Sequence, residues 1–488
     1  MATSGAHGIG RDEWVEQEAE RRESGRGPLT PVKRAFDRIP YALRVAALCA
    51  LAALLPQLTG DEFIIRVALD CVLFAMLAIG LNVIVGLSGQ LDLGYVVYYG
   101  FGAYIFAELS SEQLGHHWAT WQSLPVVIVA CGLIGYILGQ TARRLSGDYL
   151  AIVTLFFAQM FVLMANNVDR ITLPWADSPL TLTGGPNGIV GIDTMKLPAV
   201  GGFDGFELLS VKNYFYLAVV AFGIVMLAVH LLDQSRTGRA WRSLRDDPLA
   251  AQLMTIPANR LKVFAFVIGA GIAGLAGAIF ASNQISIFST NFEVPLLITI
   301  YAAIVLGGVG SQAGVVLGAV IITALPELLR DPANSRLIFY GLILLAVLLK
   351  VRPWWKLGVV IAMTAALAAI VHVVGSALSE RATAGAPVGG GKTGAIVETV
   401  LLLPSDSVQL GNAAFVGALG LVGAIVLTRG WLRLALVPPA LYLGAFVWET
   451  RLVNEASITN QLLLGGVLVV MMAARPYGLL GKRQVEIV

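Results

Sequence analysis

Apolar residues in this chain form long runs separated by polar segments, rather than alternating with polar residues as in a half-buried strand. A bilayer core about 30 Å thick requires about 20 apolar residues in an α-helix, and about fourteen runs approach that length. These runs are 41–58, 63–86, 92–109, 123–142, 148–166, 213–233, 263–285, 294–309, 313–329, 336–351, 356–377, 411–428, 431–448 and 460–474. The pattern predicts an all-α, polytopic transmembrane helical bundle with discontinuous helices and roughly 11–14 membrane segments. Composition agrees, since 57% of residues are hydrophobic and only 13% are charged, which is unlike a soluble protein.

Basic residues between the runs predict the orientation of the bundle. If residues 1–40, which are polar and contain no secretory signal, form a cytosolic tail, the alternation of spans puts every basic cluster on the same side. The segment 234–262 is then cytosolic, and 168–212 and 378–410 lie outside. A single miscounted span would invert all later clusters. We therefore expect a multi-pass protein of the bacterial inner membrane with both termini in the cytosol.

The segment 234–262, QSRTGRAWRSLRDDPLAAQLMTIPANRLK, is the most basic stretch between two apolar runs. Asp247 followed by Pro248 is a helix-start signal, because Asp accepts a hydrogen bond from an unpaired amide and Pro suits the first helical position. Leu249 and Leu253 then share one face of a short helix, beside Met254 and Ile256. We expect a soluble partner to cover this face. The alternative is a solvated connector whose arginines only fix orientation.

Polar residues interrupt the apolar pattern at two further places. In the glycine-rich stretch 81–104, Gln90 and Asp92 lie in a predicted helix break, which a membrane protein tolerates only beside protein or a water-lined cavity. These residues are candidates for the translocation path, and the alternative for Asp92 is a helix N-cap at the cytosolic interface. Asn283, with Gln284 and Ser286, closes a long span and is a candidate for an outward vestibule that suits a neutral or zwitterionic solute.

Several apparent motifs do not predict chemistry. The stretch GGGKTG lacks the first glycine of a phosphate loop, because position 386 is Ala, and no strand precedes it. The five histidines and three cysteines form no metal or nucleophile constellation, so we do not expect an enzyme. A net charge of +2, spread along one membrane side, gives no reason to expect a nucleic-acid partner.

The stretch SRTGRAWRSLRDDPLAAQLMTI resembles the cytosolic loop of the Liv-type, branched-chain amino acid family of ABC-transporter permeases. Similar stretches of that family are LNVIVGLSGQLDLGYVVYYGFGAY, GDYLAIVTLFFAQM, LTGGPNGI and RPYGLLG. The chain departs from the family pattern at Thr255, where glycine is usual, and at the closely following Pro257. The resemblance covers roughly 63–352 and returns at 460–481.

The resemblance implies a coupling helix that inserts into a cleft of the ATPase subunit. Its candidate residues are Arg242, Arg245, Asp246, Asp247, Leu249, Ala250, Leu253 and Met254. The leucines are expected in the ATPase cleft, and the arginines are expected to pair with ATPase acids or membrane lipid phosphate. On the opposite side, a periplasmic binding protein is expected to dock on a rigid turn, for which an ordinary tight loop is the alternative. The candidate docking residues are Thr183, Gly184, Gly185 and Asn187.

The resemblance also implies that several different subunits form the transporter. This chain has no ATP-binding motif, so ATP and Mg²⁺ are expected on two partner ABC ATPases, alongside a second homologous permease and a periplasmic solute-binding protein. The expected cargo is a branched-chain amino acid, and urea or short amides, which related members carry, are the alternative. A stand-alone secondary transporter or channel is the rival from another class.

The chain also contains a departure in its organisation. The predicted parts are the tail 1–40, a permease domain 41–352, additional spans 353–459 with a flexible linker 378–410, and a final helix with a cytosolic end, 460–488. The family-like ending at 352–353 recurs at 475–476, so the added spans are a partial duplication or an insertion. We expect them to be peripheral to transport.

Overall fold

The computed structural model gives the arrangement of most of the chain. It describes residues 40–112, 116–145, 147–168, 170–171, 180–181, 183–197, 206–330, 336, 339–341, 354–378, 401, 407–428, 431–452, 465–466, 469 and 478–481. The predicted tail and most of the predicted linker, as well as most of the predicted spans 336–351 and 460–474, lie outside these residues.

The described residues form a helical protein in which eight segments are long and apolar enough to cross a membrane. The α-helices are α1 Tyr41–Leu58, α2 Glu62–Leu81, α3 Val96–Leu109, α4 Thr120–Ala142, α5 Asp148–Asn167, α6 Val211–Gln234, α7 Arg236–Asp246, α8 Pro248–Leu253, α9 Ala258–Gln284, α10 Val294–Gly307, α11 Gln312–Arg330, α12 Trp354–Leu378, α13 Ser407–Leu427 and α14 Trp431–Val447. The predicted all-α polytopic bundle is confirmed.

Among the described residues, each strand is two residues long and lies between helices. They are β1 Ser110–Ser111, β2 His116–His117, β3 Arg170–Ile171, β4 Leu180–Thr181, β5 Ile189–Val190, β6 Lys196–Leu197, β7 Phe206–Glu207 and β8 Ser286–Ile287. The antiparallel pairs are β1 with β2, β3 with β4, β5 with β8, and β6 with β7. The β5–β8 pair matters most here, because it joins the end of α9 to the loop that follows α5.

Helix α9 lies at the centre of the bundle and packs against α2, α3 and α4. Its glycines permit this packing. A Cβ atom added to Gly102 of α3 would lie 2.4 Å from the Cα of Gly274, and one added to Gly277 would lie 2.2 Å from the carbonyl oxygen of Tyr99. Small residues therefore let the backbones approach closely, which drives helix association where no water is present.

Contacts at one end of the bundle support the predicted alternation of spans. Tyr41, at the start of α1, stacks on His230 near the end of α6, with ring centroids 3.4 Å apart. Its hydroxyl donates to Gln312 Oε1 at the start of α11, at 2.8 Å. The amide of Leu479, from the chain's final segment, donates to Leu306 O at the end of α10, at 2.9 Å. These elements share the end at which α7 and α8 lie, which we call the α7–α8 end.

Helix α2 continues into a π-helix, Asn82–Leu87, and the chain then runs without regular helix until α3 begins at Val96. The predicted helix break is confirmed, but the span predicted at 92–109 starts four residues too early. The start of α9 is a second correction. It begins at Ala258 rather than 263, because hydropathy excludes the charged Arg260 and Lys262 that lie in its first turns.

Candidate functional site

Helix α7 is attached to the bundle through a buried side chain. Ser235 caps its start by accepting hydrogen bonds from the amides of Thr237 and Gly238, at 3.1 and 3.3 Å. Its Trp241 side chain is fully buried, donates from Nε1 to Leu261 O at 2.9 Å and stacks on Phe264 of α9. The buried Trp therefore ties α7 to the start of the central helix, and the basic residues of α7 lie around this anchor.

Helix α8 projects from α7 with an apolar face exposed. Asp247 Oδ1 accepts hydrogen bonds from the amides of Leu249 and Ala250 at 2.8 and 3.0 Å, so the predicted helix start is confirmed. The exposed fractions are 72% for Leu249, 79% for Leu253 and 76% for Met254. Asp246 and Ala250 are also exposed. A solvated connector has no physical reason to present three large apolar side chains this way.

The end of α8 adopts a Schellman geometry with an unfavourable residue at its left-handed position. The amide of Ile256 donates to Ala251 O at 3.1 Å and that of Thr255 donates to Gln252 O at 3.0 Å. Thr255 has φ of +63°. A β-branched residue is uncommon there, and glycine is the usual choice. The departure at Thr255 noted in the sequence is therefore a local strain at the exit from α8.

The two arginines predicted to face a partner both have partners within this chain. The Arg242 guanidinium donates to Asp233 O at 3.1 Å and lies 3.4 Å from the Asp233 carboxylate. Arg245, half-buried at the end of α7, donates from Nη1 to Gly86 O in the π-helix. Burial lowers the pKa of Arg245, and the nearby Asp246 carboxylate raises it. The expected pairing with ATPase acids or lipid phosphate has to compete with these contacts.

The break between α2 and α3 is buried and polar. Asp92 is fully buried and its Oδ1 accepts from the amide of Gly94 at 2.9 Å, which caps a turn before α3. The alternative of an interfacial helix N-cap is wrong, because α3 begins four residues later and Asp92 has no exposed surface. Gln90 is 5% exposed and its Nε2 donates to Ser88 Oγ at 2.8 Å.

Three polar atoms at this break have no hydrogen-bond partner among the described residues: Asn82 Nδ2, Gln90 Oε1 and Asp92 Oδ2. Buried polar atoms are nearly always paired with protein or water, so these unpaired atoms are candidates to contact a polar solute or water. The break lies near the α7–α8 end, because Gln90 Nε2 lies 3.4 Å from Lys262 O in the second turn of α9.

The predicted docking turn lies at the opposite end of the bundle. Thr183 Oγ1 donates to Val168 O at 2.7 Å and accepts from the amide of Gly185 at 3.3 Å, which fixes the turn to the end of α5. Gly184 and Gly188 have positive φ, and a Cβ added to Gly188 would lie 2.1 Å from Ile287 O. Asn187 is exposed on the 3₁₀ turn Gly185–Asn187.

Asn283 lies one helical turn before β8, which pairs with β5 just after the docking turn. It is half-buried. The structure therefore brings Asn283 and the docking turn to the same end, and Gln90 and Asp92 towards the other. No group of three metal-ligating side chains occurs within the part of the chain that the structure describes.

The sequence did not predict the long-range partners of this region. Asn82 Oδ1 accepts from the amide of Gly310 at 2.8 Å, and Arg245 contacts the same π-helix. A polar Asn inside an apolar run was the only available signal for the first contact. Nothing in the local pattern distinguishes Arg245 from the other arginines of α7.

These features define a polytopic helical membrane protein with a basic, apolar-faced helix pair at one end. The chain belongs to the permease component family of branched-chain amino acid transport systems, whose characteristic sequence matches residues 63–351. The resemblance inferred from the sequence is thereby confirmed.

Similarity to individual proteins agrees with the family. The chain is 33% identical over 323 residues to the high-affinity branched-chain amino acid transport permease LivM of Escherichia coli K12, covering 62% of this chain and 72% of LivM. It is 25% identical over 305 residues to BraD of Pseudomonas aeruginosa, covering 58% and 91%. It is 25% identical over 246 residues to the fructose import permease FruG of Bifidobacterium longum, covering 48% and 68%. No solved structure matches the chain.

Proposed function

We propose that the chain is the membrane-spanning permease subunit of an ABC importer, driven by partner ATPases. The observation that carries this proposal is the exposed apolar face of α8, which a buried Trp241 holds at a fixed place on the bundle. Leu249, Leu253 and Met254 fit an apolar cleft on a soluble partner. Ala250, Asp246 and Asp247 belong to the same contact, because they are exposed beside it.

The proposed cargo is a branched-chain amino acid. LivM and BraD, whose names specify that cargo, are relatives of this chain. FruG is named for fructose, so related permeases differ in what they carry. A short amide or urea is the alternative cargo for this chain. Buried uncharged groups such as Gln90 and Asn82 suit any of these neutral or zwitterionic solutes.

The proposed assembly contains two ABC ATPases, which hold ATP and Mg²⁺, and a second homologous permease. A periplasmic solute-binding protein delivers the cargo at the turn formed by Thr183, Gly184, Gly185 and Asn187. Closure of the ATPases moves α8, and the bundle alternates between outward and inward access. Cargo passes from the Asn283 end towards the buried break at Gln90 and Asp92. The rival, a transporter driven by an ion gradient, gives no role to the exposed face of α8.

The proposed location is the bacterial inner membrane, with both termini and the α7–α8 end in the cytosol and the segments 168–212 and 378–410 in the periplasm. The basic residues of α7 and the loop arginines Arg143 and Arg144 support this orientation. A cysteine at position 390 of a cysteine-free chain should react with an impermeant reagent added to intact cells, and one at position 243 should not. The opposite labelling would contradict the orientation.

The coupling role of α8 is tested by replacing Leu249 and Leu253 with Asp in the same chain. Each carboxylate would face an apolar cleft, and an unpaired buried charge costs several kcal/mol, on the order of a typical docking contact. The variant should insert in the membrane but lose ATPase during purification, together with substrate-stimulated ATP hydrolysis. Full retention of both properties would show that α8 is not the coupling element.

A matched control comes from the other end of the molecule. Leu209 is 77% exposed, like the two leucines of α8, but precedes α6 on the opposite side of the bundle. Leu209→Asp should leave ATPase retention unchanged. Loss of ATPase in this control as well would indicate general instability rather than a specific docking surface.

A further inference from the structure

The Arg245 side chain connects the α7–α8 pair to the π-helix of the bundle. Its Nη1 atom donates to Gly86 O, which lies one residue before the end of the π-helix. Carbonyl groups in the last turn of a helix lack partners within the helix, so a guanidinium is a strong donor for this position. Arg245 is thus the contact by which the C-terminal end of α7 engages the π-helix.

Two glycines provide the space that the Arg245 side chain occupies. A Cβ atom added to Gly89 would lie 2.9 Å from Arg245 Cγ and 3.1 Å from its Cα. One added to Gly310, in the turn between α10 and α11, would lie 2.7 Å from Arg245 Nη1. Both glycines have positive φ, at +72° and +85°. The side chain therefore fits between two turns that only glycine forms without strain.

The same site joins several elements of the transmembrane bundle. Asn82 Oδ1, at the start of the π-helix, accepts from the amide of Gly310 at 2.8 Å. The amide of Leu480 donates to Gly307 O at 3.0 Å, so the final segment of the chain closes on the same turn. The π-helix leads directly into the buried break at Gln90. A displacement of α7 would therefore reach the π-helix directly through Arg245, in addition to the route through Trp241 and the start of α9.

We propose that Arg245 is a positioning residue that transmits movement of α8 to the π-helix and the break at Gln90 and Asp92. The proposal rests on the proposed function, because it assumes that an ATPase moves α8. It differs from the expectation that Arg245 docks on the ATPase. A purely structural role as a helix-end contact would affect folding but not the amount of cargo moved per ATP.

The test is Arg245→Gln in the complete complex, reconstituted in proteoliposomes with ATPases, second permease and binding protein. The variant should retain ATPase and keep ATP hydrolysis within about twofold of wild type, because a single-site change away from the docking face has small effects there. Transport per ATP should fall about tenfold, the size of a typical coupling between sites. Arg245→Lys should restore part of this ratio, since an ammonium still donates to Gly86 O.

Arg239 is the matched control, because it lies on the same helix and its Nη1 also donates to a backbone carbonyl, that of Gln234 at 2.9 Å. Arg239→Gln should leave transport per ATP within about twofold of wild type. A wild-type ratio in Arg245→Gln would overturn the proposal while leaving the docking role of α8 intact. Loss of ATPase from Arg245→Gln would also overturn it, because Arg245 would then belong to the docking surface.

If Arg245→Gln fails to insert, Gly89→Ala tests the proposal instead. Its methyl group would displace the aliphatic part of the Arg245 side chain without removing the charge. Reduced transport per ATP with ATPase retained supports transmission, and an unchanged ratio overturns it. If the proposed function is wrong, the wild-type chain itself would bind no ATPase, and this result differs from both outcomes of the Gly89→Ala test.

Discussion

Thr255 ends the exposed helix in a conformation that costs free energy. Its φ of +63° places a β-branched side chain in the left-handed region, which costs about 1–2 kcal/mol relative to glycine. Thr255→Gly should therefore stabilise the end of α8 by about 1 kcal/mol after the added flexibility of glycine is considered. Hydrogen exchange of the amides of Thr255 and Ile256 should slow. Faster exchange in this variant would contradict the strain argument.

Gly188 is required by a close backbone approach at the other end of the protein. Its φ is +66°, and a Cβ would lie 2.1 Å from Ile287 O across the β5–β8 pair. Gly188→Ala should displace the docking turn and weaken capture of the binding protein, measured as a dissociation constant in detergent, while ATPase retention stays unchanged. The loss of binding free energy should exceed the roughly 1–3 kcal/mol cost of the backbone conformation alone, because Gly188 has a ψ of −172°, in a region that essentially only glycine occupies.

Gly191 allows the effect of backbone strain to be separated from the effect of a steric collision at this turn. Its φ is +68°, nearly that of Gly188, but a Cβ there would lie 3.7 Å from its nearest neighbour, Glu112 Cβ. Gly191→Ala therefore adds the strain of a positive φ without the collision, and it should weaken binding less than Gly188→Ala. Equal and unchanged affinities in both variants would mean that the binding protein does not use this turn.

At the scale of elements, local signals predicted α8 well and the surrounding contacts poorly. Asp247 starts α8 by accepting hydrogen bonds from the amides of Leu249 and Ala250, and Pro248 takes the first helical position, so the sequence was sufficient. Arg245 and Gly86 are 159 positions apart in the sequence, and no periodicity identifies such a pair. Hydropathy located most spans because long apolar runs are buried in the bilayer or the bundle. It missed Val96 as the start of α3 because hydrogen bonding, and not hydropathy, determines where that helix begins. It measures burial and not hydrogen bonding.

Helix α7 depends on Trp241 for its position. Trp241→Ala should remove a fully buried side chain and cost about 3–5 kcal/mol, whereas Trp241→Phe should keep most of the ring packing and cost less, through the lost bond to Leu261 O, about 1 kcal/mol, and a smaller cavity. The Ala variant should release α7 from α9. Trypsin should then cleave at the arginines of α7 faster than in the Phe variant, and equal cleavage rates would contradict the anchoring role.

At the scale of the whole molecule, a buried ion pair links the segment that matches the family to the added helices. Arg336 Nε donates to both carboxylate oxygens of Glu449 at 2.9 Å, and both side chains are at most 1% exposed. Phe339 stacks on Trp448 with ring centroids 3.9 Å apart. The sequence predicted that the added spans are peripheral to transport, and it did not predict this attachment.

Excision of 356–459 therefore has a cost that sequence reasoning omitted. The deletion removes Glu449, the carboxylate that pairs with Arg336, and breaking a buried pair of this kind costs about 3–5 kcal/mol. The deletion combined with Arg336→Met should be the more stable product, and it should retain measurable uptake if the added helices are peripheral. Thermal unfolding of both deletions would measure the difference. A stable double variant without uptake would make the added helices essential.

The proposed function requires that ATP hydrolysed by partner subunits drives transport through this chain. Uptake of radiolabelled leucine should be measured in proteoliposomes that contain the chain, the ATPases, the second permease and the binding protein. We expect uptake that requires ATP on the side of the α7–α8 end and persists when ionophores remove all ion gradients. Uptake by the chain alone, without ATP and driven by an imposed ion gradient, would contradict it.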